Sequence, residues 1–516
     1  MTSTSLVVAV AVVLPVLVFV LVRAAARRRP ADVTPAPAVL AGGHPIFGFA
    51  TVHGRDRTQQ KLMAARTGAP IVNVPNGFSG LLLVNDVEYV KRTFQASSQR
   101  LDEGFFSINH SQDVLSIEPE EQWRPMRRRL NQFFTAANVN GMFPKVYASA
   151  SDTAKRLRAT VKAHGDPMLY HDLTPIVQRS VMDSLVRCVF SRPFDEALDT
   201  QRIHLIDRLN ATMVANFIDH LPVLRYVNPL YREHFRVGQA LSELSRKELD
   251  DRASLIAELG AESRDVPHDL VSNLLGVGVR PTADDMVFTK KMEVDNINIF
   301  FFAGLDTTSQ SLLFALALLG LHPDVMAKAV KEVDQVFAEL GLDQDDNDAG
   351  ADDQGDELRI THDDFVSKLV YLDKIVKEAT RLYPSASGTS RVIHEDTQIG
   401  EHFVRKGTRL FLNFAGIARM PKHFEKADEF YPEHFDEEAV KARDHHAYFP
   451  FGGGARACIG FKLAQQEQRV ILAHLLHNFT FEIHPQQKIE VVTGLTNNFK
   501  GPLRMRILPR VLPGRD

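Results

Sequence analysis

Cysteine is scarce in this sequence, because Cys188 and Cys458 are the only two among 516 residues. Two cysteines cannot build the disulfide framework of a small secreted domain, which favours a reducing compartment for the body of the protein. Cys188 lies in an apolar run with helical spacing, so we expect it to belong to the core. Any chemistry that needs an accessible thiol therefore falls to Cys458.

An excess of charge of either sign is also absent. The chain has 60 basic and 64 acidic residues, which gives a formal net charge of −4, and neither half of it is strongly basic. This balance argues against nucleic acid as the main partner. Apolar residues make up 44% of the chain, which is enough for a large core, so we expect one large catalytic domain.

Charge is missing altogether near the N-terminus. Residues 2–22 carry no charged side chain, residues 6–22 are continuously apolar, and arginines follow at positions 23, 27, 28 and 29. This pattern predicts one transmembrane helix within residues 1–29, with residues 30–516 forming a domain on the cytosolic side. A cleaved signal peptide is the alternative, but no basic residue precedes the apolar run and the arginines follow it.

The most restrictive pattern of the chain surrounds Cys458. The segment reads Phe451-Gly-Gly-Gly454-Ala-Arg456-Ala-Cys458-Ile-Gly460, and an apolar run with helical spacing follows it. The N-terminus of a helix favours a thiolate, which is an iron ligand. The glycines permit a tight turn, and Gly460 leaves room for a flat cofactor. Phe451 is placed to shield the sulfur, and Arg456 to pair with a propionate.

Two simpler interpretations of this segment compete. Gly452-x-Gly454-x-x-Ala457 partly matches a dinucleotide-binding fingerprint, but Pro450 interrupts the strand that should precede it. The second alternative is an ordinary buried thiol at Cys458. The full spacing Phe-x-x-Gly-x-Arg-x-Cys-x-Gly is far more restrictive than either alternative requires, and it resembles the haem-binding signature of the cytochrome P450 family.

The resemblance implies a mainly α fold with a small β-region, the cytochrome P450 fold, preceded by the N-terminal transmembrane helix. It implies haem b (iron protoporphyrin IX) as the cofactor, with Cys458 as the iron ligand. Trp123 and Arg127 match the family's Trp-x-x-x-Arg helix. They are four residues apart and share a helix face, so both are expected to bind a haem propionate. Arg391 resembles a further propionate ligand.

Another motif of the family lies in the apolar run 296–321. Ala303-Gly304-Leu-Asp306-Thr307-Thr308 matches the oxygen-activation motif. We expect Thr307 to hydrogen-bond the carbonyl of Ala303, which would open a groove beside the haem, and Asp306 to supply protons. A second membrane span is the alternative for this run, but the polar residues at its centre make a buried core helix the better prediction.

A structural network is implied by three further positions. Glu378 and Arg381 match the family's Glu-x-x-Arg helix, and His434 stands where the family usually has an arginine. On the helix that carries Trp123 and Arg127, Arg124 and Arg128 form a basic stripe that is either a solvated face or a docking site for an acidic electron donor.

Local patterns predict several other elements. Residues 70–74 and 80–84 read as a hairpin, residues 87–94 as a helix, and residues 491–509 as strand, turn and strand. Pro125 suits the first turn of a helix. Residues 343–357 hold eight acidic and no basic side chains, which indicates a solvated insertion.

The resemblance also suggests a substrate pocket. Phe105, Phe106, Ser385 and Leu495 lie where the family places pocket residues. Small residues from Ser385 to Ser390 leave volume near the haem, and a membrane anchor favours lipophilic substrates. The sequence lacks the His-Thr pair of sterol 14-demethylases, and Ala303 replaces the glutamate by which some fatty-acid omega-hydroxylases bind haem covalently. Another sterol oxidation or a fatty-acid hydroxylation with non-covalent haem is therefore expected.

The function implied by the resemblance is a haem-thiolate monooxygenase of the endoplasmic reticulum membrane. No flavin or nicotinamide site is evident, so electrons should come from a separate NADPH-cytochrome P450 reductase. One alternative is a haem-thiolate isomerase that rearranges a hydroperoxide without a reductase. The other is a non-catalytic haem-binding protein, in which Asp306 and Thr307 would be needless.

Overall fold

The structure is a computed structural model that describes residues 33–34, 38–39, 62, 65–76, 79–96, 120–166, 168–212, 229–279, 287–342, 360–493 and 496–511. Several predictions fall outside the described residues: the N-terminal anchor, the pocket residues Phe105, Phe106 and Leu495, and the acidic segment 343–357.

Helices dominate the described chain, as predicted. They are α1 (Val87–Ala96), α2 (Glu120–Phe133), α3 (Ala136–Gly141), α4 (Phe143–His164), α5 (Thr174–Phe190), α6 (Glu196–Thr212), α7 (Pro229–Leu259), α8 (Leu270–Leu274), α9 (Lys290–Leu321), α10 (Pro323–Glu339), α11 (His362–Phe365), α12 (Val370–Leu382), α13 (Phe414–Ile417), α14 (Glu437–Ala442) and α15 (Phe461–Asn478). Short 3-10 turns occupy Val366–Lys368, Pro432–Phe435, His445–Ala447 and Gly454–Arg456.

The strands are short. They are β1 (Val33–Thr34), β2 (Ala38–Val39), β3 (Ile71–Asn76), β4 (Ser79–Val84), β5 (Tyr170–Asp172), β6 (Thr389–Val392), β7 (Thr397–Ile399), β8 (His402–Val404), β9 (Arg409–Leu412), β10 (Phe479–Ile483), β11 (Val491–Thr493), β12 (Asn497–Phe499) and β13 (Arg504–Pro509). The predicted hairpin is confirmed, since β3 and β4 pair antiparallel with Ile71 opposite Val84.

One compact unit comprises Met1–Leu101, Ala386–Asp428 and Val440–Ala457. It holds a five-stranded sheet in the order β2-β3-β4-β9-β6 and a three-stranded sheet in the order β1-β8-β7. Alternate strand residues face its core, for example Leu82 and Val84 of β4. This unit carries the glycine-rich segment that precedes Cys458.

A second compact unit comprises Asp102–Ser385, Glu429–Ala439 and Cys458–Asp516. It contains most of the helices, the sheet β10-β13-β5 and the hairpin β11-β12. Its apolar core draws on nearly every helix of the unit and includes Cys188, which is buried as predicted. This unit carries Cys458 and the helix that follows it.

Helix α9 is the central helix of the second unit. Among the described residues it is the one helix long and apolar enough to cross a membrane, and 72% of its most apolar stretch is buried by the protein itself. The prediction of a buried core helix is thereby confirmed. Thr289 caps its N-terminus by accepting a hydrogen bond from the backbone N–H of Met292.

Two local predictions were wrong. Helix α2 begins at Glu120, so Pro125 lies in its second turn and not in the first. The buried neighbours Trp123 and Met126 hold the helix in place despite the missing N–H of proline. Residues 491–509 form three strands, because Gly501, at φ +75, and Pro502 separate β12 from β13. Strand β13 then joins β10 and β5.

Candidate active site

Cys458 stands at the entrance to α15. Cys458 is exposed and is in no disulfide, and Gly460 occupies the N-cap position of the helix with φ −89. A Cβ on Gly460 would meet no atom of the described chain within 4 Å. The free N–H groups of the first helical turn favour negative charge nearby. The second unit therefore offers a thiolate ligand with open space at the glycine two residues further on.

Helix α2 brings Trp123 and Arg127 to the same unit as Cys458. Trp123 is buried, whereas Arg127 is half-buried. The Nε atom of Arg127 is buried and has no hydrogen-bond partner among the described residues. Burial lowers the pKa of Arg127, and the negative charge of Cys458 opposes that shift. The guanidinium therefore lies within electrostatic range of the thiolate.

These observations fit a bound haem. The group needs a sulfur ligand for its iron, space for its flat ring and cations for its propionates. Cys458 provides the sulfur, Gly460 leaves space, and Arg127 has a buried donor that the described protein does not use. The assignment of Trp123 and Arg127 to a propionate remains a prediction.

The first unit contains Arg391, which lies on β6 and is only 1% exposed. Its Nη1 donates to Thr389 Oγ1 at 2.9 Å and to the carbonyl of Ser390 at 2.8 Å. Its guanidinium carbon lies 5.5 Å from the centre of the Phe94 ring. These contacts hold the guanidinium in one place, which a propionate ligand requires.

Phe94, which the sequence analysis did not single out, packs against the glycine-rich segment of the first unit. A Cβ on Gly453 would come within 2.6 Å of Phe94 Cε2. Gly454 has φ +68, a backbone conformation that favours glycine. The Phe94 ring also meets Phe449 edge-on, with ring centroids 6.0 Å apart. The glycines therefore serve close packing as well as the turn.

The remaining residues of that segment are placed as follows. Phe451 is half-buried, and Arg456 is 4% exposed at the end of a single 3-10 turn. Shielding of the sulfur by Phe451 and propionate binding by Arg456 remain predictions.

Helix α9 contains the predicted hydrogen bond between Thr307 and Ala303. Thr307 Oγ1 donates to the carbonyl oxygen of Ala303 at 2.6 Å. Thr307 is half-buried and Ala303 is exposed. Packing favours a glycine at position 304, because a Cβ there would lie 3.0 Å from Leu185 Cδ1 on α5. This hydrogen bond is the one that the sequence predicts, and the groove that it would open beside the haem remains a prediction.

The carbonyl oxygen of Thr307 accepts two side-chain hydrogen bonds, one of them from a residue outside α9. Ser385 Oγ donates to it at 2.8 Å and Ser311 Oγ at 2.9 Å. Asn497 fixes Ser385 in turn, since its backbone N–H donates to the carbonyl of Ser385 at 2.7 Å. Ser385 is 6% exposed and its hydroxyl is hydrogen-bonded to α9, and its predicted place in the substrate pocket remains a prediction. Its side chain supports the helix at Thr307.

Asp306 is 5% exposed and both of its oxygens accept hydrogen bonds. Asn210 Nδ2 donates to Oδ1 at 3.1 Å, and the Thr496 hydroxyl donates to Oδ2. Burial raises the pKa of Asp306 to about 6, with the hydrogen bonds acting in the opposite direction. A carboxyl with such a pKa exchanges protons near neutral pH, as a proton carrier must. Sequence reasoning did not connect Asn210 or Thr496 with Asp306, because no local pattern links them.

Glu378 and Arg381 of α12 form a buried ion pair. His434 Nδ1 lies 3.1 Å from Glu378 Oε1, and Arg381 also donates to the carbonyl of Glu429 at 2.9 Å. The three side chains therefore meet as the sequence suggests, with histidine in the place of arginine. Arg124 and Arg128 are exposed, and both explanations of that stripe stay open.

Comparison with known proteins gives a single family. A sequence model described as "Cytochrome P450" matches residues 38–502. The chain is 25% identical over 465 residues to "Cytochrome P450 3A11" of Mus musculus, covering 84% of each chain. It is 24% identical to "Probable cytochrome P450 6a20" of Drosophila melanogaster, covering 89% of this chain and 90% of the relative. It is 26% identical to "Demethylepipodophyllotoxin synthase" of Sinopodophyllum hexandrum, covering 94% of each.

The family model spans nearly all of the chain after the N-terminal apolar run, and it includes the cysteine signature, the α9 motif and the Glu378–Arg381 helix. The predominantly helical fold with small sheets agrees with it. The chain belongs to the cytochrome P450 family of haem-thiolate monooxygenases, with haem as its cofactor.

Proposed function

We propose that this monooxygenase inserts one oxygen atom of O2 into a lipophilic substrate, a sterol or a fatty acid, with electrons from NADPH-cytochrome P450 reductase. The observation that carries the substrate class is the uncharged N-terminal run, residues 2–22, followed by arginines. An enzyme anchored by such a segment draws on compounds dissolved in the bilayer. Of these two classes we propose the sterol, because small residues from Ser385 to Ser390 leave volume in the region that the family uses for the pocket.

The cofactor side of the site is assigned to one cysteine, three arginines and one tryptophan. Cys458 binds the iron as a thiolate, which the N-terminus of α15 stabilises. Arg127, Arg391 and Arg456, together with Trp123, hold the propionates. When bound, the haem supplies the activation of dioxygen, for which thiolate ligation donates electron density.

The opposite side of the site is assigned to α9. The Thr307 hydroxyl, held on the Ala303 carbonyl at 2.6 Å, positions water in the groove of the helix. Asp306 takes up protons and passes them inward. Ser385 and Ser311 both donate to the backbone carbonyl of Thr307. These bonds keep the Thr307 hydroxyl in its position on α9.

The membrane assignment places residues 1–29 as a single-pass anchor in the endoplasmic reticulum and residues 30–516 as a cytosolic catalytic domain. Its support is the sequence pattern of charge. Removal of residues 1–29 should weaken membrane attachment without unfolding the domain. Carbonate extraction of the full-length protein tests it, because release of the intact chain into the supernatant would contradict a spanning helix.

The rivals are separated by the electron source. A haem-thiolate isomerase acts on a hydroperoxide without NADPH, and a haem carrier turns over nothing. Retention of Asp306 and Thr307 favours the monooxygenase, because neither rival needs a proton supply.

The deciding experiment combines a lipid profile after depletion of the protein with reconstitution. The full-length protein, NADPH and reductase are supplied with the sterol or fatty acid that accumulates, and substrate binding is followed by the spin state of the haem. NADPH-dependent formation of a hydroxylated product is expected. If neither lipid class accumulates or changes the spin state, a xenobiotic or secondary-metabolite substrate replaces the lipid.

A further inference from the structure

The carboxyl of Asp306 is engaged away from its sequence neighbour Thr307. Adjacent residues of a helix point about 100° apart and do not face each other. The hydroxyl of Thr307 is bonded to Ala303 within α9, whereas the two oxygens of Asp306 accept from α6 and from the turn before β12. The hydrogen-bond partners of the Asp306 carboxyl therefore lie outside the oxygen-activation motif.

Thr496 is the better defined of these two partners. A hydroxyl has one proton to donate and two lone pairs to accept with. Asn210 Nδ2 lies 3.3 Å and Asn498 Nδ2 lies 3.2 Å from Thr496 Oγ1, so two amides occupy its lone pairs. Its single proton is then directed at Asp306 Oδ2. In this arrangement Thr496 does not accept a hydrogen bond from a protonated Asp306 unless an amide leaves.

Asn210 completes the arrangement from the last turn of α6. Its Nδ2 group donates to Asp306 Oδ1 at 3.1 Å. Each oxygen of the carboxyl thus accepts a hydrogen bond, and the two donors belong to elements that are far apart in sequence.

We propose that Thr496 and Asn210 are positioning residues, which fix the Asp306 carboxyl and set the pH range in which it releases its proton to the reaction. This inference rests on the proposed role of Asp306 as proton carrier. Both partners donate hydrogen bonds that stabilise the ionised carboxyl, so together they favour release of the proton from Asp306.

The other surroundings of Asp306 act in the opposite direction to these two donors. Burial raises the pKa of Asp306, the Thr496 hydrogen bond lowers it, the charge of Asp207 raises it and the Asn210 hydrogen bond lowers it. Asp207 is exposed on α6, one turn before Asn210, with His204 on the same helix. Strand β12 contributes only neutral residues. On α7, His234 contacts Thr212 at 3.1 Å. The two donors are therefore the groups that hold this pKa down.

The test uses Thr496→Val, which keeps the shape of the side chain and removes the hydroxyl, with Thr496→Ser as the variant that restores it. Thr493→Val is the matched control. Thr493 is a buried threonine of the same hairpin, and its hydroxyl donates to Asn497 Oδ1 at 3.0 Å and not to Asp306. Asn210→Ala removes the other donor, and it carries the test if Thr496→Val fails to fold.

The first readout is stability and does not depend on activity. Each protein is compared with its Asp306→Asn counterpart, and the difference in thermal unfolding midpoint is measured from about pH 4.5 to 8.5. In the wild type we expect this difference to change with pH up to about 6 and to be constant above that pH. In Thr496→Val, the pH range over which the difference in midpoint changes should extend upward by about one pH unit. Thr496→Ser and Thr493→Val should leave it where the wild type has it.

The second readout is the fraction of NADPH electrons recovered as product and not as peroxide, over the same pH range. We expect the pH range over which this fraction changes to shift by the same amount in Thr496→Val. If the pH range of the stability change is that of the wild type in both Thr496→Val and Asn210→Ala, the inference is overturned. If that pH range shifts but the pH dependence of the product fraction does not, the inference loses its link to the reaction. If the pH range of the stability change shifts but no substrate is turned over, the positioning role of Thr496 and Asn210 stands and the proposed function is refuted.

Discussion

Arg381 donates two hydrogen bonds to Glu378, from Nε to Oε2 and from Nη2 to Oε1, each at 2.7 Å. Both side chains are fully buried. The same Oε1 accepts from the backbone N–H of Tyr431 at 2.9 Å. Helix α12 is thereby tied to the turn that carries His434.

Loss of one partner of this pair should be costly. Arg381→Met leaves the Glu378 carboxylate buried without its cation, so the free energy of unfolding should fall by about 3–5 kcal/mol. The double variant Arg381→Met with Glu378→Met removes both charges and should recover part of the loss. Urea unfolding followed by circular dichroism measures both. A single variant as stable as the wild type would show that the pair is not structurally important.

Cys458→Ala should remove thiolate ligation, because Cys458 is the exposed one of the two thiols. The measurement is the Soret band of the reduced carbonyl complex, which should lose its thiolate-type position. Cys188→Ala is the matched control, since Cys188 is buried in the core and should keep the band. A thiolate-type band in Cys458→Ala would refute the ligand assignment.

Thr307→Ala should retain haem but divert electrons to peroxide. The variant loses the hydroxyl held by Ala303, and with it the positioning of water in the α9 groove. Thr307→Ser keeps a hydroxyl and should preserve most of the coupling. Product and peroxide are measured against NADPH consumed. Full coupling in Thr307→Ala would exclude a role for this hydroxyl.

Gly453→Ala should weaken the glycine-rich segment for a steric reason alone. Gly453 has an extended backbone with φ −155, which other residues also adopt. Its new Cβ would lie 2.6 Å from the Phe94 ring, so the ring must shift. Phe94→Ala in the same chain should relieve the clash, and the two changes should be non-additive in a double-mutant cycle. Additive losses in thermal midpoint would contradict the contact.

Glu467 gives a pH dependence of stability. Burial raises its pKa to about 8, against the hydrogen bond from Ser184. The folded state therefore keeps a proton that the unfolded state has lost, so rising pH favours unfolding by up to about 1.4 kcal/mol per pH unit between the unfolded and folded pKa values.

Glu467→Gln should lack that slope and gain stability relative to the wild type as pH rises towards 8. Denaturant unfolding at a series of pH values measures it, with Glu482→Gln on the more exposed β10 strand as control. Parallel pH profiles for Glu467→Gln and the wild type would show that Glu467 is ionised in the folded protein.

The sequence by itself determined what depends on local spacing. The i to i+4 bond from Thr307 to Ala303, the Glu378–Arg381 pair and the hairpin of β3 and β4 follow from helical and strand periodicity, and the glycine-rich turn before Cys458 follows from backbone freedom. The burial of α9 followed from the cost of its central polar residues in a bilayer.

Only the tertiary structure decided which distant residues meet these motifs. Three sets of contacts involve residues from other elements: Phe94 against Gly453, Ser385 at the Thr307 carbonyl, and Asn210 and Thr496 at Asp306. The contacts of Asn210 and Thr496 depend on how α6 and the hairpin β11-β12 pack on α9, which no local pattern specifies. Packing also overrode local rules at Pro125, because the buried residues around it hold the helix where its missing N–H would otherwise favour a start.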